Sequence, residues 1–198
     1  VDAGHGFLAF DYSGHGASEG AFEDGTISIW RQDTLDAIDA YTDGPLVLVG
    51  SSMGGWMALL AALARPRRVA GVVLLAPAPD FTEKLLWAGL PEQARTELLD
   101  RGFTLRPSDY DEPYRITRAL IEDGRAWQLL DAPLAIDGPV RILQGMQDED
   151  VPWQHAQRLV HALTTADVVL TLIKDGDHRL SRDVDIARLR RSCDELAR

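Results

Sequence analysis

The 198-residue sequence holds a single cysteine, Cys193, so no intrachain disulfide can form, and the chain fits a reducing compartment. Long apolar runs are missing too. Runs such as residues 46–49 and 57–64 fall far short of the ~20 residues that cross a bilayer. Positive charge is scarce: 20 Lys and Arg stand against 31 Asp and Glu, a net charge of −11. With no run of five or more basic residues, this balance argues against nucleic acid as a partner, because phosphate binding needs a basic face. There is no internal repeat and no low-complexity segment. Residue 1 is Val, with no signal or targeting segment before an apolar run that starts at residue 6. This start reads as that of a fragment.

What is present points to a globular core. The chain is 45% apolar and 26% charged, which excludes disorder, and its length suits one to one and a half domains. Apolar runs alternate with helical patterns, the rhythm of an α/β fold with a mostly parallel sheet. Strands are expected at 6–12 (GFLAFDY), 46–49, 69–76, 140–143 and 168–173, and helices at 26–41, 56–64, 153–163 and 182–196. In the first helix Ile27, Trp30, Thr34, Ile38 and Tyr41 recur at three- to four-residue steps, with Arg31, Asp33, Asp36 and Asp39 on other faces. From 80 to 137 the rhythm breaks. Pro91, Pro107, Pro113 and Pro133 divide short helical stretches, which reads as a mainly helical lid inserted into a core of 1–79 and 138–198. Its Phe81, Leu85, Leu86, Trp87, Leu90 and Phe103 either line an acyl pocket or pack the lid itself.

Two segments fit the pattern G-x-S-x-G: Gly50-Ser51-Ser52-Met53-Gly54 and Gly16-Ala17-Ser18-Glu19-Gly20. A nucleophilic serine needs a sharp turn between a buried strand and a helix, so that its hydroxyl projects beyond the sheet edge. Ser52 has LVLV before the turn and an Ala/Leu-rich helix after it. Ser18 lies six residues past its strand in a loop. Ser52 is therefore the candidate nucleophile and Ser18 a loop residue.

A serine hydroxyl needs a base, and the base an orienting acid, in the chain order Ser, acid, His for this architecture. His178 follows the last apolar strand, and Asp148 follows the strand at 140–143. Both fall at carboxyl ends of parallel strands, where open α/β sheets place their sites. Glu149 and Asp150 compete with Asp148 for the acid role on spacing alone. Asp175 and Asp177 read as solvated turn residues. His155 and His161, six apart on one helix, share no face as metal ligands would and read as solvated. His5 and His15 sit in Gly-rich loops.

Together these residues resemble the α/β-hydrolase superfamily over almost the whole chain. The D-x-x-G-x-G-x-S turn runs from Asp11 through Gly14 and Gly16 to Ser18, and the elbow is Gly50 to Gly54. The acid motif G-x-x-D-x-x-V-P reads Gly145, Asp148, Val151, Pro152, and the base lies in Gly176-Asp177-His178. The runs DYSGHGASEG, GSSMGGW and GMQDEDVPW resemble a group of palmitoyl-protein thioesterases and acyl-glucuronide esterases with bacterial members.

The resemblance implies that Ser52 is acylated, His178 shuttles the proton and Asp148 holds the imidazole. The backbone N–H of Met53 supplies one oxyanion donor. It also implies an earlier strand and a loop carrying the second donor, hence about 50 to 60 upstream residues in the natural protein. The expected function is a serine hydrolase of carboxylic esters or thioesters, without metal or organic cofactor, acting on small-molecule or acyl-protein substrates in the cytoplasm, or in the mitochondrial matrix of a eukaryote. A non-catalytic small-molecule receptor on the same fold is the alternative. Peptidase and C–C hydrolase chemistry stay open, since the same triad serves both; dehalogenase chemistry, which needs Asp where Ser52 stands, does not fit.

Overall fold

The computed structural model describes residues 4–106 and 113–197; Pro107 lies outside the described residues. In chain order the α-helices and β-strands are α1 (Ile27–Tyr41), β1 (Leu46–Ser51), α2 (Met53–Ala64), β2 (Val69–Leu75), α3 (Glu92–Arg101), β3 (Phe103–Arg106), β4 (Tyr114–Thr117), α4 (Arg118–Arg125), β5 (Val140–Gly145), α5 (Trp153–Ala162), β6 (Val168–Ile173) and α6 (Asp183–Leu196), with a 3-10 turn at Phe22–Asp24 and a π-helical turn at Thr82–Trp87. Among the described residues no helix is long and apolar enough to cross a membrane. The chain divides into two compact units, one built from residues 4–8, 37–79 and 129–197 and the other from 9–36 and 80–128.

The first unit is a parallel four-stranded sheet in the order β1-β2-β5-β6, with helices α2, α5 and α6 packed on it. A strand covered on both faces reads as a continuous apolar run rather than an alternating one. This is why VAGVVLL and VRILQG form the centre, with β5 buried along its whole length. The polar exception near the start of β5, Arg141, is buried because its guanidinium is answered from two sides, by Asp167 at 2.7 Å and Glu195 at 2.6 Å. Those carboxylates hold it charged, and the bond to Glu195 ties α6 to the sheet.

The expected strand at 6–12 does not form. Residues 5–12 have no strand pairing, and Phe7, Leu8 and Phe10 are all exposed. A strand exists only through its ladder, and among the described residues nothing pairs with this segment, so apolar composition alone does not hold it extended and buried.

The second unit holds more than short helices. β3 and β4 form an antiparallel hairpin, Phe103 opposite Thr117 and Arg106 opposite Tyr114, between α3 and α4. One apolar cluster in it joins Leu98, Ile116 and Ile121, against which Leu86, Trp87 and Leu90 pack. Helix α1 buries Ile27, Trp30, Thr34 and Ile38 as its periodicity predicts, while Tyr41, its last residue, is exposed.

Candidate active site

The site is built at the carboxyl ends of β1, β5 and β6. β1 runs straight into α2, and Ser52 is the single residue between them, at φ 52° and ψ −120°. That backbone region is strained for any residue with a Cβ, of order 1–3 kcal/mol, and persists only where the surroundings impose it. Here they do. The Ser52 N–H donates to the Leu75 carbonyl at 2.9 Å, and the Ser52 carbonyl accepts from Gly55 at 3.0 Å and Ala78 at 3.1 Å. A Cβ at Gly50 would collide with the Gly54 carbonyl, so the turn can be this tight only with glycine there.

The strain points the Ser52 hydroxyl at an imidazole. Ser52 Oγ lies 3.1 Å from His178 Nε2, and His178 Nδ1 lies 2.8 Å from Asp148 Oδ2. The Asp148 side chain is fully buried and the His178 ring is 25% exposed. With the carboxylate ionised, Nδ1–H donates to it, which leaves Nε2 as the acceptor facing the hydroxyl. Asp148 Oδ1 accepts from the backbone N–H groups of Asp150 at 3.0 Å and Val151 at 2.8 Å. Burial alone pushes the Asp148 carboxyl up, but the bonds from His178, Val151 and Gln144 outweigh it and hold the carboxyl below the usual range. The bond to Asp148 raises His178 above an ordinary imidazole. Burial opposes it, and the charges of Asp148, Asp150 and Asp177 add to it.

The loops that carry acid and base approach so closely that a Cβ at Gly145 would strike the Gly176 and Asp177 carbonyls, which explains the glycine that opens the acid motif. Leu180, fully buried with Leu75, Leu143 and Ile173, anchors the chain just after His178. Arg182 fixes the same loop by bonding both Asp175 and the buried Asp185. Met53 is the first residue of α2, where helix amides have no intrahelical acceptor and attract negative charge.

Ser52, His178 and Asp148 thus come together as their spacing predicts. Ser18 does not join them: it is exposed, its hydroxyl donating to the Asp11 carbonyl at 2.7 Å. Glu149 and Asp150 are exposed. The side chains of Asp175 and Asp177 bond Arg182 and the Leu180 N–H. His5 and His161 are exposed and His15 half-buried.

His155 corrects the sequence reading. It is not solvated but buried, with Nε2 2.6 Å from the Pro79 carbonyl. The cause is the amphipathic face of α5, on which His155, Ala156, Leu159 and Ala162 are all buried, so that position 155 follows its helix into the interior. Gln144 is the residue the sequence reading missed. It is fully buried and donates to Asp148 Oδ2 at 3.0 Å. The signal available was a polar side chain near the end of an apolar strand, directly before the acid motif. Asp148, Asp150 and His178 offer ligand atoms within 4.8 Å of one another, a cation-sized spacing. Asp148, however, already accepts from four protein groups.

A family profile described as "Alpha/beta hydrolase family" matches residues 2–189. The chain belongs to that family. Among curated proteins this alpha/beta hydrolase is 39% identical over 195 residues to the mitochondrial palmitoyl-protein thioesterase ABHD10 of mouse, covering 98% of the chain and 65% of the relative. It therefore spans about two thirds of that relative's length. Among solved structures it is similar to a putative hydrolase from Agrobacterium vitis S4, with TM-score 0.90 and 49% identity over 94% of this chain and 74% of the other. The alpha/beta hydrolase domain-containing protein 10 from mouse gives TM-score 0.85 and 37% identity, covering 94% and 75% of the two chains.

Proposed function

We propose that this alpha/beta hydrolase is a serine hydrolase of carboxylic ester and thioester bonds, with acyl thioesters of proteins or small molecules as its substrate class. The observation that carries the reading is the unbroken relay from Ser52 Oγ through the His178 ring to Asp148, at 3.1 and 2.8 Å, on a turn that constrains the serine backbone. The similarity to a palmitoyl-protein thioesterase supports the thioester half of the reading. A lone cysteine fits a reducing compartment, cytoplasmic or mitochondrial.

In this mechanism Ser52 Oγ attacks the acyl carbon as its proton passes to His178 Nε2, and the carbonyl electron pair moves onto oxygen. The Met53 N–H, at the head of α2, donates to that oxyanion. Asp148 stabilises the imidazolium and holds the ring. Collapse breaks the bond to the leaving oxygen or sulfur, which takes the proton from His178 as it departs. Water then repeats the sequence on the acyl-enzyme: His178 takes its proton, the oxygen bonds to the acyl carbon, and Ser52 is expelled with the proton returned.

The test is fluorophosphonate labelling of the purified protein together with turnover of p-nitrophenyl butyrate and of acyl thioesters of graded chain length. Rapid labelling that Ser52→Ala abolishes, with many turnovers per molecule, is the expected result. A single slow turnover would instead mark a binding module.

A further inference from the structure

Gln144 sits one residue before the end of β5 with none of its surface exposed. Its Nε2 lies 3.1 Å from the Gly145 carbonyl, 3.0 Å from Asp148 Oδ2 and 3.1 Å from the Val151 carbonyl. These acceptors stand at the start, the middle and the end of the turn that carries the acid. Its other amide atom, Oε1, is buried and accepts no hydrogen bond from the described residues. Reversing the amide would set Oε1 against a carboxylate and two carbonyls with no donor between them, so the network fixes which atom faces the turn. The side chain is placed for its nitrogen.

Asp148 Oδ2 is also the oxygen that accepts from His178 Nδ1, whereas Oδ1 is taken up by two backbone amides. We propose that Gln144 is a positioning residue for the reaction: its N–H fixes the rotation of the Asp148 carboxylate and draws charge from the oxygen that faces the imidazole. This rests on the roles assigned above to Ser52, His178 and Asp148. A carboxylate with one donor fewer on that oxygen attracts the imidazolium more strongly and is free to turn about its own axis. Loss of Gln144 therefore makes His178 more basic and less well aimed. The charges that face His178, those of Asp148 and Asp150 after β5 and of Asp177 on its own loop, are the same in wild type and in the Met and Asn variants below, so a shift in those reports the lost donor.

The experiment compares wild type with Gln144→Met, which matches the length without an N–H, and Gln144→His, which keeps a ring N–H at similar reach. Gln144→Asn, whose shorter amide falls away from Oδ2, serves if the Met variant does not fold. The expected result for Met or Asn is a kcat on p-nitrophenyl butyrate lowered roughly tenfold, the size of one hydrogen bond to a charged group, with KM unchanged and the acid limb of kcat/KM moved to higher pH. Gln144→His should recover most of the loss. An unmoved limb overturns the proposal, whether kcat stays at the wild-type value or falls equally in the His variant. An NMR titration of the His178 ring in wild type and Gln144→Met needs no turnover. It expects a higher imidazole pKa in the variant, and an equal or lower one overturns the proposal even if the hydrolase reading itself has failed on inactive wild-type protein.

Discussion

The two units are held together by different physics. In the first, Val72, Val73, Leu74 and Ile142 in the sheet and Met57, Leu59 and Leu60 on α2 are almost wholly buried, and the interior is mostly aliphatic, with the Trp56 ring buried among these side chains. The second also buries apolar side chains, Ile27, Trp30, Leu35, Leu98 and Ile121 among them, and adds directional pairs. Asp33 accepts from both the N–H and the hydroxyl of Ser13, at 2.8 and 3.0 Å, while the Ser13 carbonyl takes the Trp30 indole N–H at 3.2 Å. The pattern recurs far along the chain: Asp123 accepts from the N–H and hydroxyl of Ser28 at 2.8 and 2.6 Å, and the Trp127 indole donates to that hydroxyl at 2.8 Å. Rings meet edge-on around His15, and guanidiniums cover Trp87 and Phe103. Burial is non-directional and tolerates local change, whereas a clamp between residues 95 apart works only when both partners are present.

The largest contrast comes from a change in the first unit that touches chemistry and not packing. Ser52→Ala should lower kcat by about 10⁴- to 10⁶-fold, the range for removing a nucleophile from a cooperating set, with little change in thermal midpoint. Ser52→Gly should be equally inactive yet more stable, because glycine relieves the φ of 52°. Turnover assays and calorimetry on the two variants separate reactivity from strain. A Gly variant less stable than the Ala variant would show that the elbow is not strained.

Next in size are two truncations that set the units against each other. Leu74→Ala in the centre of the sheet should cost about 2–5 kcal/mol, the transfer loss plus a cavity that the surrounding strands cannot close. Asp123→Ala should cost about 1.5–3 kcal/mol, because it strips two hydrogen bonds from Ser28 without opening an aliphatic void. Urea unfolding measures both. If Asp123→Ala proves as mild as a surface change, the clamp contributes nothing and the second unit rests on its buried apolar residues alone.

This difference also decides what was legible in the sequence. The first unit's strands and helices follow from apolar runs of the right length, and Ser52, Asp148 and His178 from their places just beyond strand ends. Residues 5–12 mark the limit, since their apolar pattern is a strand pattern and yet a strand is a property of its partner. His155 shows a second limit: its burial follows from the face of α5, but its acceptor is a carbonyl 76 residues away. Nothing in the sequence around Ser28 announces Asp123. The hairpin of β3 and β4 was missed because four-residue strands carry too little alternation to register. Directional, long-range pairs leave no period behind them.

A smaller effect tests the electrostatics of the first unit. In the proposed mechanism His178 takes the serine proton only when neutral. Asp148 raises its pKa, so the inactive imidazolium persists to higher pH than an unperturbed histidine would allow. The acid limb of kcat/KM should therefore lie above the ordinary histidine value of about 6.5. In Asp148→Asn the carboxylate is gone, so the limb should fall while kcat drops steeply, because the imidazole also loses its orienting acceptor. A limb that stays in place would mean that the carboxylate does not face the ring in solution.

The smallest expected effect lies at the surface of the second unit. Arg101 and Arg115 sit 4.8 and 4.4 Å from the centre of the Phe103 ring, and Arg115 also pairs with Glu23 at 2.8 Å with both side chains nearly half exposed. An exposed guanidinium over a ring contributes about 0.5–1 kcal/mol, and an exposed ion pair no more than that. Salt separates the two. It screens the Arg115–Glu23 attraction, while the contact between guanidinium and ring face persists through its apolar and polarisation parts. Arg115→Ala should destabilise by about 1 kcal/mol at low salt and keep most of that loss at 1 M salt, whereas Glu23→Ala should lose its effect there. Should both losses vanish together, the rings of the second unit act as ordinary apolar surface, and its difference from the first unit narrows to the two serine clamps.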